Sequence, residues 1–163
     1  AHHLNINMKF LFFIFPSAIA NIVPVLVRKI DFLNIPVDFN FKFKGQPIFG
    51  MNKTIRGLFF GCLSSTISGY LIFQNPLFGL KIGFLALCGD LLGSFIKRRL
   101  SVMPGEVCFP LDQIDWSVLP LLYLYTNSLV SIKQALVIFI VCTILHPMVN
   151  ITGYYLKLKK NKF

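Results

Sequence analysis

Long apolar runs separated by polar segments constrain this chain more than any other feature. An α-helix needs about 20 apolar residues to cross a bilayer. Mean hydropathy is +0.70 and only 13% of the residues are charged, against about 25% in soluble domains. The sequence therefore predicts an all-α integral membrane protein, a bundle of five transmembrane helices forming a single membrane domain over residues 1–163. The predicted helices are residues 8–27, 57–73, 77–96, 116–127 and 132–156.

The basic residues are distributed unevenly between the two sides that these helices define. Five spans place two long loops, residues 28–56 and 97–115, on the same side as the C-terminal tail. Thirteen of the 16 Lys and Arg residues fall on that side, and only Lys9, Lys81 and Lys133 remain for the other. The positive-inside rule then predicts cytoplasmic loops and C-terminus, with the N-terminus outside, in a cell (inner) membrane.

The N-terminus, the cysteines and the pattern of basic residues carry little functional signal. Ala1-His2-His3 resembles the remnant of a purification tag, so residues 1–7 are assigned to a tag remnant or an extracytoplasmic N-terminus. The four cysteines show no CxxC or Cys/His spacing and are interpreted as free thiols. Because the basic residues flank apolar runs and form no separate basic domain, we expect no nucleic-acid partner.

Small residues form one face of the second predicted helix. They let membrane helices approach closely, so this face would permit a homodimer. Its members are Gly57, Gly61, Ser64, Ser65, Ser68 and Gly69.

Four of the six acidic residues lie between Gly89 and Asp115. Asp112 and Asp115 are three residues apart and would share a helix face. Carboxylates without His or Cys suit Mg²⁺, which few carboxylates plus substrate phosphates usually hold. Alternatively, the pair caps the fourth helix, where acids are favourable. Asp90 favours a functional site, since a carboxylate inside an apolar segment is costly without a partner.

Two basic segments are candidates for phosphate binding. Lys97-Arg98-Arg99 could bind phosphate or simply anchor the helix end. Gly50–Gly57 places Lys53 and Thr54 just before a helix, where backbone amides can receive an anion. The segment lacks the GxxxxGK[ST] spacing of a P-loop. Together with the carboxylates, these cations suit phosphoryl or nucleotidyl transfer onto a lipid.

The segment GDLLGSFIKRRL, followed by LDQID, closely resembles the CDP-archaeol synthases. These are small five-helix membrane enzymes related to the phosphatidate cytidylyltransferases. Gln113 stands where the phosphatidate enzymes carry Arg. The composition, rich in Phe, Ile, Asn and Lys, suggests an AT-rich genome and is compatible with a bacterial homologue. The first loop resembles the family's other motif at Pro36, Asp38, Gly45, Ile48-Phe49-Gly50, Lys53-Thr54 and Arg56-Gly57.

The resemblance implies a reaction and roles for the residues. The phosphate of a lipid such as digeranylgeranylglyceryl phosphate attacks the α-phosphate of CTP, and a CDP-lipid and pyrophosphate form for phospholipid biosynthesis. The same resemblance implies catalytic roles for Asp90, Lys97, Asp112 and Asp115, and Mg²⁺ binding by the three aspartates. It assigns contacts with CTP to Lys53, Thr54, Arg56, Ser94, Lys97 and Arg98.

Two other functions stay open at this point. A non-enzymatic small transporter or lipid-binding scaffold would show the same positive-inside pattern, but it would leave Asp90 without a role. A lipid phosphotransferase using another nucleotide would keep the chemistry and change the substrate. Phosphatidic acid is the alternative acceptor within the cytidylyltransferase interpretation.

Overall fold

The computed structural model describes residues 9–104, 106 and 108–155. The predicted tag remnant at residues 1–7 and the predicted helix end at residue 156 lie outside these residues. A 3₁₀ turn, Lys9–Ile14, leads into the first helix, and a second, Val27–Lys29, follows it. The described residues form five α-helices: α1 (Phe15–Leu26), α2 (Ile55–Phe73), α3 (Pro76–Arg99), α4 (Leu111–Thr126) and α5 (Ile132–Tyr155).

Helices α3 and α4 extend further into the second loop than predicted. The prediction ended α3 at residue 96, but it continues through Arg99, because Lys and Arg are good helix formers and their charges are favourable at a helix C-terminus. The prediction began α4 at residue 116, but it begins at Leu111 and has Asp112 in its first turn. The second loop is consequently shortened to residues 100–110. The first loop is shortened to residues 30–54, because a 3₁₀ turn occupies Val27–Lys29 and α2 begins at Ile55.

The first loop contains a small exception to the helical architecture. Strands β1 (Lys42–Phe43) and β2 (Gln46–Pro47) pair antiparallel. Lys44 and Gly45 turn the chain between them with positive φ angles of 51° and 78°, which glycine adopts without steric cost.

Arg99, the last residue of α3, holds this hairpin. Its Nη1 donates to the carbonyl of Phe43 at 2.8 Å, and its Nη2 donates to the carbonyl of Pro47 at 2.6 Å. The guanidinium also lies over the rings of Phe43 and Phe95, 5.3 and 5.0 Å from their centroids. The end of α3 and the first loop are therefore joined directly.

Helices α2 and α3 form a tight antiparallel pair. Gln74, at φ 54°, ends α2, and the side chain of Asn75 accepts the N–H of Phe78 to cap α3. The two backbones touch at Gly69 and Gly79, as small residues allow. The face that suggested a homodimer is thus occupied within one chain, and the homodimer stays a prediction.

We expect Gly79→Ala to destabilise the protein. The new Cβ would lie 2.3 Å from the carbonyl oxygen of Ser65 and 2.6 Å from the Cα of Gly69. Both are backbone atoms, so the two helices must move apart to relieve the overlap, which lowers the free energy of unfolding by about 1–3 kcal/mol. Thermal unfolding in detergent should show a lower midpoint than for Leu77→Ala, a change at an exposed position of the same helix. Equal midpoints would contradict the contact.

Three helical segments among the described residues are long and apolar enough to cross a membrane: Phe10–Lys29, Ile55–Phe73 and Pro76–Arg99. Leu71 and Leu77, beside the turn that joins α2 to α3, are 68% and 66% exposed, as lipid-facing side chains would be. The protein is therefore a multi-pass, membrane-embedded chain. Helix α4 is shorter than these segments: its 16 residues extend about 24 Å, less than the roughly 30 Å of a hydrocarbon core.

Candidate active site

The start of α2, the C-terminal half of α3 and the start of α4 meet at one end of the bundle. Lys53, one residue before the N-cap of α2, forms an ion pair with Asp90 of α3. Their side chains are 24% and 20% exposed. The costly carboxylate in the apolar segment thus has a cation as its partner, and it still reaches solvent.

A second ion pair joins α3 to α4. The Nζ of Lys97 lies 2.5 Å from Oδ1 of Asp112, and both side chains are largely buried. Oδ2 of Asp112 accepts the N–H of Cys108, just before the helix, at 2.9 Å. Asp112 lies in the first turn of α4, where an acid is favourable, but the N-cap of the helix is Pro110 and no side chain caps it. Asp112 instead joins the preceding loop to the charged site.

Asp115 lies deeper than Asp90 and Asp112, and no cation among the described residues forms an ion pair with it. It is 9% exposed, and its Oδ1 accepts the N–H of Trp116 at 2.7 Å. In the part of the chain that the structure describes, no group donates a hydrogen bond to Oδ2. The charge of Asp90 is close enough to repel that of Asp115, whereas the ammonium groups of Lys53 and Lys97 attract it from a distance. Asp115 is consequently a buried carboxylate with no direct ion-pair partner among the described residues.

Two glycines of α3 make room for Asp115. A Cβ at Gly93 would lie 2.2 Å from Oδ2 of Asp115, and a Cβ at Gly89 would lie 2.1 Å from its backbone oxygen. The two glycines are four residues apart and so share a helix face. No role is predicted for Gly89 and Gly93 from the sequence. Their GxxxG spacing around Asp90 was the available signal, since it permits close helix approach.

Arg56 and Arg98 are more buried than the predicted phosphate contacts would suggest. They are 5% and 4% exposed, and their Nη1 atoms donate to the backbone carbonyls of Ile30 and Val102. Within the described ranges, neither Nε has a hydrogen-bond partner. Both arginines thus tie a loop to a helix end, and their contact with CTP stays a prediction.

Thr54 and Ser94 lie in the same region. Thr54 is the N-cap of α2, and its Oγ1 accepts the N–H of Gly57 at 3.2 Å. Ser94 is 2% exposed and lies four residues after Asp90 on α3. The structure places both beside the ion pairs, while their contact with a nucleotide stays a prediction.

Asp38 is a buried acid in the first loop that sequence reasoning assigned no role. Its Oδ2 accepts the N–H groups of Phe49 at 2.8 Å and Gly50 at 2.9 Å, and its Oδ1 accepts that of Asn40 at 3.1 Å. Partial burial acts to raise the pKa of the carboxyl, but the hydrogen bonds from Gly50, Phe49 and Asn40 outweigh it and hold the pKa below its ordinary value. Asp38 is therefore ionised at neutral pH.

The predicted site residues are thus brought together at one end of the bundle, where carboxylates outnumber the lysines that pair with them. Asp90, Asp112 and Asp115 face Lys53 and Lys97. Among residues 9–104, 106 and 108–155, no three His, Cys, Asp or Glu side chains are grouped closely enough to hold a metal ion by themselves. The fold and the site define a polytopic membrane protein with the charged groups that an enzyme acting on phosphates requires.

Comparisons with known proteins agree with this class. Residues 3–163 match the family model described as "CarS-like: CDP-archaeol synthase". The chain is 38% identical to the CDP-archaeol synthase of Pyrobaculum arsenaticum, over 93% of this chain and 96% of that protein. It is 36% identical to that of Staphylothermus marinus, over 94% and 92%. The chain belongs to the CDP-archaeol synthase family.

A solved structure supports the same conclusion. It is described as an intramembrane enzyme for archaeal membrane lipids biosynthesis, and it superposes with a TM-score of 0.74 at 30% identity. The match covers 86% of this chain and 92% of that one. The predicted family is confirmed, and the protein is an enzyme rather than a transporter or a scaffold.

Proposed function

We propose that this chain transfers the cytidylyl group of CTP to an archaeol-type lipid phosphate at the site between α2, α3 and α4. The product is a CDP-lipid, and pyrophosphate leaves. Membership in the CDP-archaeol synthase family carries the reaction. The observation that carries the location is the pair of Lys–Asp bridges, Lys53 to Asp90 and Lys97 to Asp112, beside the buried Asp115.

The chemistry requires binding and charge neutralisation more than proton transfer. An oxygen of the lipid phosphate forms a bond to the α-phosphorus of CTP while the bond to the pyrophosphate oxygen breaks. The attacking phosphate is already ionised, so no general base is needed. Lys53 and Lys97 bind the triphosphate and stabilise the charge that develops on it. Arg56 and Arg98 hold the loops around it, with Thr54 and Ser94 as further polar contacts.

The carboxylates fit Mg²⁺ as the cofactor. Asp115 is buried with no direct ion-pair partner among the described residues, and Asp90 lies close enough to interact with it. Two carboxylates completed by substrate phosphates are a usual Mg²⁺ environment. Asp112 would join them only after Lys97 moves to a phosphate, since the two are paired here. When bound, the ion would polarise the phosphoryl oxygens and neutralise the leaving pyrophosphate.

Orientation follows from the same assignment. CTP is a cytoplasmic nucleotide, so the site and both loops face the cytoplasm, as the distribution of Lys and Arg predicts. The N-terminus is then outside, and α4 and α5 complete five crossings of the cell membrane as a single domain. The start of α4, with Asp112 and Asp115, then lies at the cytoplasmic boundary.

We expect Lys53→Met to weaken CTP binding by about tenfold to a hundredfold, because a charged hydrogen bond to the nucleotide is lost. The measurement is incorporation of labelled CTP into lipid by the purified protein with Mg²⁺. Digeranylgeranylglyceryl phosphate and phosphatidic acid are offered separately. Lys81→Met removes the same charge at an exposed position in the first turns of α3, at the opposite end of the helix, and should change nothing. Equal half-saturating concentrations of CTP for the two variants would contradict the proposed site.

A further inference from the structure

Asp38 is a buried carboxylate in a loop whose neighbouring side chains are exposed. It is 6% exposed, whereas Phe39 and Phe41 are 62% and 68% exposed. A charge is buried in this way only when hydrogen bonds replace its hydration. Three backbone N–H groups do so here, and two of them belong to Phe49 and Gly50, 11 and 12 residues away. The carboxylate therefore joins the two ends of the first loop's hairpin.

The hydrogen bonds of Asp38 continue into the backbone of Lys53. The N–H of Lys53 donates to the carbonyl of Gly50 at 3.1 Å, and the carbonyl of Lys53 accepts the N–H of Val37 at 2.8 Å. Val37 precedes Asp38 in the chain, so the connections form a closed ring. The ring fixes the backbone on both sides of the residue that pairs with Asp90.

Gly50 connects this ring to the rest of the site. Its φ of 95° is one that side chains other than glycine rarely adopt. A Cβ there would lie 3.5 Å from the ring of Pro104 and 3.8 Å from Nε of Arg98. The backbone that Asp38 holds is thus packed against the end of α3 and the start of the second loop.

We propose that Asp38 is a positioning residue for CTP. Its carboxylate orders the backbone from Phe49 to Lys53, so that the ammonium group of Lys53 is in place before the triphosphate arrives. Pre-ordering of this kind raises affinity because the loop need not be immobilised on binding. The proposal rests on the function proposed above for Lys53.

The test measures CTP binding calorimetrically, with Mg²⁺ present, on the full chain. Asp38→Asn should weaken binding by about tenfold, and Asp38→Ala should weaken it further, because Asn keeps one acceptor oxygen. Asp31→Asn removes the same charge from an exposed position in the same region and should leave affinity unchanged. Adding Asp38→Asn to Lys53→Met should cause no further loss, because Asp38 acts through Lys53.

Independent, additive losses in the double variant would overturn the role of Asp38. So would an Asp38→Asn protein that binds CTP normally when Lys53→Met does not. Normal binding by Lys53→Met itself would instead overturn the proposed site. A measurement on the unaltered protein covers the case in which the Asp38 variants fail to fold. The hydrogen-bonded amides of Phe49, Gly50 and Lys53 should exchange hydrogen slowly before CTP is added, and rapid exchange would overturn the proposal.

Discussion

Asp115→Asn should lower cytidylyl transfer by about a hundredfold or more while leaving the fold intact, because it removes the deepest carboxylate of the proposed Mg²⁺ site. Asparagine has nearly the same shape and can still accept the N–H of Trp116 that Oδ1 accepts now. The exchange therefore removes charge and little else. Labelled CTP incorporated into lipid is the quantity to measure.

The same variant should unfold at an equal or higher temperature than the unaltered protein. A buried carboxylate without a direct ion-pair partner destabilises the native state when it is charged, so its removal relieves a cost. Loss of activity with gain of stability is the expected signature of a functional group. Asp31→Asn, at an exposed acid in the first loop, should alter neither quantity. Activity close to normal in Asp115→Asn would exclude this residue from the reaction.

Gly93→Ala should reduce turnover by about tenfold to a hundredfold, although it removes no charged or polar group. The added methyl would lie 2.2 Å from Oδ2, 2.7 Å from Cβ and 2.8 Å from Cγ of Asp115. Contact along the whole side chain leaves no small rotation that relieves the overlap, so the carboxylate must leave its present position.

Leu92→Ala provides the control for this change. Leu92 is the neighbouring residue on α3, and its side chain is 53% exposed. Its replacement tests whether α3 tolerates alanine near the site, and it should leave transfer almost unchanged. Equal activities of the Gly93→Ala and Leu92→Ala proteins would show that Asp115 need not sit where it does. An intermediate activity restored by high Mg²⁺ would support displacement of a metal ligand.

The helices and the location of the site could be predicted from the sequence because both follow from local patterns. Apolar runs gave the five helices, and the density of acids between Gly89 and Asp115 located the charged end. Helix ends were less predictable. Lys97 and Asp112 are charged, and the sequence therefore predicts that both lie in the second loop. Both belong to helices, which place the two side chains opposite each other.

Long-range contacts within the site could not be predicted from one sequence. No local pattern indicates that Lys53 pairs with Asp90, 37 residues away, or that Arg99 binds the carbonyls of the hairpin. The burial of Arg56 and Arg98 depends on where the loops fold, and the sequence signals only that basic residues are present. Pairings of this kind depend on loop paths, which apolar periodicity does not specify.

Because the backbones touch at Gly69 and Gly79, the number of residues between this contact and the charged end determines which side chains meet there. The contact fixes the register of α2 against α3 at the end of the pair far from Lys53 and Asp90. An α-helix turns by about 100° and rises by about 1.5 Å per residue. One residue inserted into α2 between Ile55 and Gly69 would therefore rotate Lys53 away from Asp90 without changing a single charged side chain. The number of residues between the Gly69–Gly79 contact and the Lys53–Asp90 pair is consequently as important to the function of this chain as the chemistry of those residues.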